Sequence, residues 1–568
     1  MPLLKFGAYL PDTSDYESDT AHIIQNVLPR GDGYGPFPSF EAATYALPAA
    51  CRGAFYALKS DGTVQIFAGT SLGLYTLNNT TFAWIPISRL ANCTISNASP
   101  GVVTLGNTFV ANEPIVFEVG SGVLPSQIIA QTVYYVSATG LSGSSFSVSA
   151  TPGGAPINTS GGSGTVTVTS HYGTVNSNAQ WQFAQTGNLV FATQANDVLQ
   201  VYTLGSSVQF SNSLGSPPQA AYISVVGRFL VLSGLLSQPY RIQWSGLNDF
   251  NSSSSWTAGV NSSDFQDFPD GGIVRGVAGG EFGTVFQDQA IRRMSYIPGS
   301  AIIFQIERVT QDMGLFAPYS LVRAGPSIFF YAGQGFFRID PGALPQQIGR
   351  ERVDRTFFND IDKNNLQMFI GISDPRGTRV YWAYKSTAGA TGTYDKILGY
   401  DTALDRFFPI SMSGEYLVGI SQPGITLEGL DSVSTSIDAL TLTLDAYANA
   451  IQPQIAQFDT NNKLGYFTGA NLEGTIETAE QGTDGERLMI NGFRPITDAP
   501  TVYGSCSVRE NQQSAAISNS EILINSRTGK CDMRQSTRYS RFKIRIPAGT
   551  TWTFAAGVEP DTAPDGST

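Results

Sequence analysis

The chain has 568 residues, of which 42% are hydrophobic and only 14% are charged. This length excludes a single ordinary hydrophobic core, because such cores stop growing near ~250–300 residues. The formal net charge of −12 argues against tight binding of nucleic acid, because that affinity comes from lysine and arginine replacing counterions at the phosphates.

The beginning of the sequence, MPLLKFGAYLPDTSDYESD, has neither the basic nor the apolar region of a signal peptide. No apolar run approaches the ~18 residues of a membrane span, so we expect no membrane segment. The four cysteines, Cys51, Cys93, Cys506 and Cys531, form no C-x-x-C motif. Free thiols are therefore expected, and a disulfide between Cys506 and Cys531 stays open as an alternative.

Helical periodicity is scarce along the chain. The pattern predicts short helices only over Asp19–Val27 and Val353–Leu366. Most other segments are β-branched and aromatic runs separated by Gly, Asn, Asp and Ser, which is typical of short strands and tight turns. The sequence therefore predicts an all-β protein.

The strand runs recur at nearly regular intervals. Their predicted centres are Ile66, Val190, Leu230, Val285, Phe329 and Tyr381, and the separations are 124, 40, 55, 44 and 52 residues. Propeller blades repeat at about 40–50 residues, because four short antiparallel strands and their turns consume that much chain. We therefore predict a β-propeller of about six blades.

The long first interval contains a segment of different composition. From Ala91 to Ser170 there is no Lys or Arg, and the only acidic residues are Glu113 and Glu118. If residues 95–171 are an insertion of 77 residues, the first separation falls from 124 to 47 and the period is restored. The insertion is predicted to be a small β-sandwich or barrel module.

The remaining boundaries follow from where the repeat begins and fades. Residues 51–94 and 172–429 are predicted to form the propeller, and residues 430–558 a C-terminal β-sandwich that serves as a platform domain. Residues 1–50 are expected to belong to the same platform. Residues 559–568, which are polar and contain Pro and Gly, are predicted to be a flexible tail.

Residues that could perform chemistry are few. His22 and His171 are the only histidines, and no esterase, metalloprotease or P-loop motif is present. Asp264, Asp267 and Asp270 form a carboxylate cluster, which we interpret as side chains that close turns.

The stretch NDIDKNN, residues 359–365, resembles the start of a calcium-binding loop, but Asn365 stands where that loop requires Gly. We predict no catalytic, cofactor-binding or metal-binding residues.

The stretch RIQWSGLNDFNSSSSW, from Arg241 to Trp256, matches the Asp-box of sialidase propellers poorly. Trp244 and Trp256 are therefore predicted to pack at blade edges, with stacking on a sugar as the alternative. Arg292 and Arg293 are candidates for ion pairs between blades, and a clamp on a substrate carboxylate is the alternative. These four residues are structural or interface candidates.

Several longer stretches carry a resemblance to one protein family. They include NVLPRGDGYGPFPSF (Asn26–Phe40), CRGAFYALKSDGTVQIFAGT, RIQWSGLNDF, RVDRTFFNDID, GYFTGANLEGTIET and NGFRPI. Together they resemble the tail nozzle, or tail tubular, protein of short-tailed, podovirus-like bacteriophages, in order from about residue 5 to residue 556. The insertion resembles a small β-module found in phage structural proteins.

The resemblance implies a structural component of the virion tail, assembled in the host cytoplasm, and not an enzyme. It implies a homo-oligomeric ring, a hexamer, that docks under the head-to-tail adaptor protein and extends the channel for DNA ejection into the host. A tail fibre or tail spike is a further expected partner, and DNA passes without specific binding. The alternative function is a glycan-binding or glycan-cleaving propeller protein of the phage tail tip.

Overall fold

The computed structural model describes residues 3–14, 16, 19–176, 179–300, 302–421, 436, 453–482 and 486–567. Within these residues the only α-helix is Asp354–Asp360, and two short 3-10 helices cover Pro318–Ser320 and Leu366–Met368. None of the described helices has the length and apolarity to span a membrane. Strands account for nearly all other regular structure, so the prediction of an all-β protein is confirmed.

Seven four-stranded sheets follow one another along the described chain, and we number them blades 1 to 7. Blade 1 consists of Ala54–Leu58, Val64–Gly69, Leu74–Leu77 and Trp84–Pro86; blade 2 of Gln182–Thr186, Leu189–Thr193, Gln200–Thr203 and Ser211–Asn212; blade 3 of Ala220–Val226, Phe229–Leu235, Arg241–Trp244 and Asp264–Asp267; blade 4 of Val274–Ala278, Gly283–Gln287, Ala290–Tyr296 and Phe304–Gln311; blade 5 of Val322–Ala324, Ser327–Tyr331, Phe336–Ile339 and Gln346–Gln347; blade 6 of Ile370–Ser373, Arg379–Tyr384, Tyr394–Asp401 and Arg406–Gly414; and blade 7 of Tyr416–Ser421, Pro453–Phe458, Lys463–Tyr466 and Glu41–Ala46. Successive antiparallel sheets of four strands are the repeat of a β-propeller.

The six predicted strand centres all fall in second strands, one in each of blades 1 to 6. The structure has seven blades among the described residues, where the sequence predicted about six. The seventh was missed because residues 422–452 separate its first strand from its second, and this interval breaks the period.

The strands of blade 7 show that two predicted domain boundaries are wrong, that of the platform domain and that of the N-terminal segment. Its strands Pro453–Phe458 and Lys463–Tyr466 lie inside the predicted platform domain, and Glu41–Ala46 lies inside the predicted N-terminal segment. Pairing partners far apart in sequence leave no local signal, so composition placed these strands in the wrong domain. The predicted boundary at residue 430 itself lies outside the described residues.

The chain divides into two compact units. One contains residues 1–42, 319–417 and 465–568, and the other contains residues 43–318 and 418–464. The second unit therefore carries blades 1 to 4, the inserted module and most of blade 7, and the first carries blades 5 and 6 together with a two-sheet domain.

The inserted module is a seven-stranded sheet with its own hydrophobic core. Its strands are Leu90–Ile95, Val103–Thr104, Pro114–Glu118, Val133–Val136, Ser145–Phe146, Val148–Ser149 and Val166–Thr169. The first and last of these strands pair with each other, with Leu90 opposite Thr169, and so form the two-stranded root of the module. The buried core residues run from Cys93 to Val168, within a few residues of the predicted insertion.

The two-sheet domain joins strands from both ends of the chain. One sheet contains Leu4–Lys5, Val27–Arg30, Gly33–Pro36, Glu486–Thr497, Cys531–Thr537 and Ala555–Ser567; the other contains Ala21–Gln25, Gly474–Thr478, Gln481–Gly482, Tyr503–Arg509, Ile517–Ser518, Ile522–Leu523 and Tyr539–Ile546. The sheets meet where the rings of Phe493 and Phe542 lie 5.2 Å apart. Gly504 is required at this contact, because a Cβ there would lie 2.6 Å from Cys531 Sγ and from the Phe493 ring.

Two local predictions are wrong in this domain. The predicted helix Asp19–Val27 is instead the strand Ala21–Gln25, which pairs with Gly474–Thr478. The predicted flexible tail belongs to the strand Ala555–Ser567, which pairs along its length with Glu486–Thr497. In both cases a distant partner strand satisfies the backbone hydrogen bonds, and this outweighs the local preference. The predicted helix near Val353–Leu366 is confirmed over Asp354–Asp360.

Deleting the module should leave the remaining protein folded. Ala91 and Val168 face each other in antiparallel strands, so a two-residue Asn-Gly turn can replace residues 92–167. Because the module core is separate from the cluster shared by blades 1 and 2, we expect cooperative thermal unfolding with a little-changed midpoint. All six tryptophans lie outside the deletion, so their fluorescence together with circular dichroism reports on the remainder. A deletion variant without a cooperative transition would contradict a separate module.

Candidate functional site

The two tryptophans of the stretch RIQWSGLNDFNSSSSW lie in the cores between neighbouring blades. Trp244 ends the third strand of blade 3, and its Nε1 donates to Ser262 O at 2.9 Å. Its ring meets that of Phe304 from blade 4 edge to face at a centroid distance of 5.0 Å. Trp256 packs in the cluster that joins blades 2 and 3. Both side chains are only 4% exposed, so neither offers a ring face to a sugar.

The serine-rich loop between these tryptophans is a hydrogen-bonded turn. Asp249 accepts hydrogen bonds from the hydroxyls of Ser252 at 2.6 Å and Ser255 at 2.8 Å. Although burial opposes ionisation, these hydroxyl donors hold the pKa of Asp249 below its usual value. Asn251 accepts from the backbone NH of Leu214, which follows blade 2. Asp249 is therefore occupied with fixing the loop that seats Trp256.

Arg241 and Asp267 form a bidentate ion pair at the edge of blade 3. They face each other at the ends of the third and fourth strands, and Arg241 Nε and Nη2 donate to the two Asp267 oxygens at 2.6 and 2.8 Å. The Phe265 ring lies 3.7 Å from the guanidinium carbon, on the same side of the strand as Asp267. Hydrogen bonding to Arg241 lowers the pKa of Asp267.

Arg292, one of the four structural or interface candidates, lies in a network of polar contacts. Its guanidinium donates to Gln287 Oε1 at 2.8 Å and to Asp270, and it lies over the Phe268 ring at 5.0 Å. Arg308 also pairs with Asp270. Burial lowers the pKa of the Arg292 guanidinium. The pairing links the segment before blade 4 to two strands of that blade, so it lies within one blade and its flanking segment and is not an ion pair between blades.

Arg293 lies on the opposite side of the same strand and is half-buried, opposite Thr284 and Glu307 in the sheet. Alternating side chains on a strand point to opposite faces, so Arg292 and Arg293 cannot act as one clamp. Of the carboxylate cluster, Asp267 and Asp270 hold arginines, and Asp264 accepts from the NH of Phe265 at 2.9 Å. Asp264 and Asp267 therefore lie in a strand and Asp270 is an ion-pair partner, so the turn-closing interpretation is wrong for the two strand residues.

The calcium-like stretch is also occupied by protein groups. Asp362 accepts from Lys385 Nζ and Asn365 Nδ2, both at 2.8 Å, and Lys396 Nζ lies 2.8 Å from Asp360. These donors, above all Lys385, hold the pKa of Asp362 at about 2. Among the residues that the structure describes, no group of three His, Cys, Asp or Glu side chains is arranged to hold a metal ion.

The histidines and cysteines lie in structural settings. His171 contacts Glu113 and Thr108 at the root of the module, and His22 lies 3.4 Å from Arg541 in the two-sheet domain. All four cysteines are buried and none is in a disulfide, so Cys506 and Cys531 do not form the bond that the sequence left as an alternative. Burial raises the pKa of Cys506 to about 12 and that of Cys531 to about 11, which disfavours their thiolates.

Two cavities of about 490 Å³ are present in the described part of the chain, one in each unit. The first is lined by residues of blade 5 and the helix that follows it, among them Asp354, and by Asp12 from near the start of the chain; burial raises the pKa of Asp354. The second lies at the edge of blade 3 beside Tyr240 and Arg241.

Sequence reasoning named Arg241 and Asp267 separately but missed Tyr240. The sequence feature that could have identified Tyr240 is the Pro-Tyr-Arg segment at residues 239–241, where one strand starts. Its partner strand ends in the Asp-Phe-Pro segment at residues 267–269.

We expect Arg292→Met to destabilise the protein and Arg293→Met to have little effect. Loss of the Arg292 donors leaves Gln287 Oε1 without its partner in a fully buried position, which costs about 1–3 kcal/mol. The half-buried Arg293 is the matched control, with an expected change within about 0.5 kcal/mol. Urea unfolding followed by tryptophan fluorescence measures both. Equal unfolding free energies for the two variants would contradict the structural role of Arg292.

The ionised Asp362 should stabilise the fold above its unfolded pKa and lose this contribution in acid. The unfolded carboxyl takes up a proton near pH 3.8 and the folded one only near pH 2, so protonation favours the unfolded chain as the pH falls between these values. The difference in unfolding free energy between wild type and Asp362→Asn should therefore be constant above about pH 5 and shrink towards pH 2. A difference that does not change with pH, in denaturant titrations across this range, would contradict the assignment.

Comparisons with known proteins add no family. No protein-family model matches the chain, and a search of curated proteins finds no match. Among solved structures, the computationally designed Ika8 protein is similar over 76% of this chain and 99% of its own, with 8% identity and a TM-score of 0.31. Hsv2 of Kluyvelomyces marxianus matches 65% of this chain and 99% of its own, with 7% identity and a TM-score of 0.26. The β-propeller domain of Myceliophteria thermophila Cps50 (Swd1) matches 61% of this chain and 96% of its own, with 8% identity and a TM-score of 0.26.

Proposed function

We propose that the protein is a structural subunit of a short phage tail, a ring-forming nozzle that docks under the head-to-tail adaptor and extends the DNA channel. The proposal starts from the resemblance of the sequence to tail nozzle proteins. It gains support from the places that the resembling residues occupy in the fold.

The observation that carries the proposal is the pairing of resembling segments from opposite ends of the chain. Asn26–Phe40 contains the hairpin Val27–Arg30 and Gly33–Pro36, in which Tyr34 pairs with Ala555. The strand that contains Ala555 pairs in turn with Glu486–Thr497, which includes the NGFRPI stretch.

Two glycines in these segments have left-handed backbones at close approaches. Gly33 has a φ of 147°, and a Cβ there would lie 2.2 Å from Ala555 O; Gly492 has a φ of 138°, and a Cβ there would lie 2.4 Å from Cys531 O. The residues that resemble tail nozzle proteins are therefore residues that the two-sheet domain needs for its fold. This favours a fold in common with those proteins over a surface motif in common.

The arrangement of charge also supports a channel subunit. In blades 3 to 6, arginines are paired with aspartates of the same chain: Arg241, Arg275, Arg292, Arg308, Arg338 and Arg379. A guanidinium that is already paired contributes less to phosphate binding, because it must give up its carboxylate to release a counterion from DNA. Together with the net charge of −12, this favours passage of DNA without retention.

The alternative of a glycan-cleaving propeller has less support. Trp244 and Trp256 are buried, and Asp267 and Asp270 are bound to arginines. A retaining or inverting mechanism needs one carboxyl group that donates a proton and a second that acts as nucleophile or base, and hydrogen bonding to Arg241 disfavours the protonated form of Asp267. The role that we propose requires no reaction.

The test is assembly of the purified full-length chain with its adaptor. We expect native mass spectrometry and negative-stain imaging to show a ring, a hexamer, that stacks on adaptor rings and has an open central channel. The same complex should not shift double-stranded DNA at physiological salt, because the net charge of −12 opposes binding to the phosphates. A chain that stays monomeric with the adaptor at micromolar concentrations would contradict the proposal.

A further inference from the structure

The cavity at the edge of blade 3 has the size and lining of a small-molecule site. Its volume of about 490 Å³ lies within the range of about 300–1,000 Å³ that is usual for such sites. It opens where the loop before the third strand meets the segment after the fourth strand. The side chains that matter here are Gln238, Pro239, Tyr240, Arg241, Asp267 and Phe268.

The walls of this cavity are held in place by backbone hydrogen bonds. Phe268 N donates to Tyr240 O and Val274 N donates to Pro239 O, both at 2.9 Å, and Arg241 N donates to Gln238 O at 3.0 Å. The proline ring also restricts the loop, because it fixes one backbone dihedral. A ligand would therefore find a largely preformed site and would lose little free energy to ordering it.

The polar side of the cavity is the ion pair of Arg241 and Asp267. The bidentate geometry and the Phe265 ring under the guanidinium fix both groups in one plane. Arg241 Nη1 takes no part in the pair, and Asp267 is 56% exposed and retains acceptor capacity. A donor and an acceptor therefore stand side by side, which matches two adjacent hydroxyl groups on a ligand.

The apolar side is aromatic. The Tyr240 side chain lines the cavity and is 52% exposed, while Phe268 is buried beneath it. An exposed aromatic ring beside fixed hydrogen-bonding groups suits a ligand with one apolar face and a hydroxylated edge, because the face packs on the ring while the edge pairs with the polar groups. Sugar rings have this distribution of CH and OH groups.

We propose that this cavity binds a neutral saccharide through stacking on Tyr240 and hydroxyl contacts with Arg241 and Asp267. The ligand is neutral because an anion would compete with Asp267 for the guanidinium and a cation would compete with Arg241 for the carboxylate. The site does not depend on the proposed nozzle function, since every residue in it belongs to blade 3 or to its flanking loops.

The experiment measures saturation-transfer difference NMR on the full-length protein. The probes are methyl α-glucoside, methyl β-galactoside and N-acetylglucosamine, with glucosamine and N-acetylneuraminic acid as charged counterparts. The variants are Tyr240→Ala and Asp267→Asn, and Tyr45→Ala is the matched control, because Tyr45 is 67% exposed on a strand of blade 7 outside the cavity. Circular dichroism confirms that each variant is folded.

We expect saturation transfer to at least one neutral sugar in the wild-type protein and in Tyr45→Ala. Tyr240→Ala should weaken the apparent affinity about tenfold, which corresponds to about 1.4 kcal/mol for the lost stacking contact. Asp267→Asn should weaken it as well. The proposal is overturned if no neutral sugar receives saturation, if folded Tyr240→Ala binds like Tyr45→Ala, or if a charged sugar binds more tightly than every neutral one.

Discussion

Burial of both faces of the blade sheets is the constraint on which the rest of this structure depends. The second strand of blade 3, Phe229–Leu235, shows it most clearly. Phe229 and Val231 point into the cluster shared with blade 4, whereas Leu230 and Leu232 point into the cluster shared with blade 2. Strand geometry sends alternate side chains to opposite faces, so the four successive positions from Phe229 to Leu232 are all apolar. Burial of such side chains, at about 1.5–3 kcal/mol each, stabilises the stacking of neighbouring sheets.

The same constraint places arginine–aspartate ion pairs at the strand ends. In blade 3, Arg241 at the start of one strand pairs with Asp267 at the end of the next, and in blade 6 Arg379 and Asp401 repeat the arrangement. Because an arginine in a blade interior would lose its hydration, it lies instead where its guanidinium can reach a carboxylate at the edge. The cavity beside Tyr240 arises from this geometry, because the ion pair fixes two strand ends and the adjoining loops line the space.

Sequence reasoning identified the repeat and several local features correctly, and its errors share one cause. The six strand centres were correct because continuous apolar runs are a local property. Blade 7, the strand Ala21–Gln25 and the C-terminal strand Ala555–Ser567 were missed because each acquires its structure from a partner hundreds of residues away or across a long interval. For the candidate site, the residue types were correctly identified, but the pairing of Arg241 with Asp267 depends on strand register, which no single-residue pattern encodes.

The sequence by itself determined the all-β class, the spacing of blades 1 to 6, the separate composition of the inserted module and the acidic, low-charge character of the protein. These properties follow from side-chain chemistry and its periodicity, which are local. Only the tertiary structure decided that Trp244 and Trp256 are interior packing groups, that the chain ends build one two-sheet domain, and that Tyr240 stands free beside an ion pair. Burial and proximity are properties of the folded chain, because residues distant in sequence must come together before either exists.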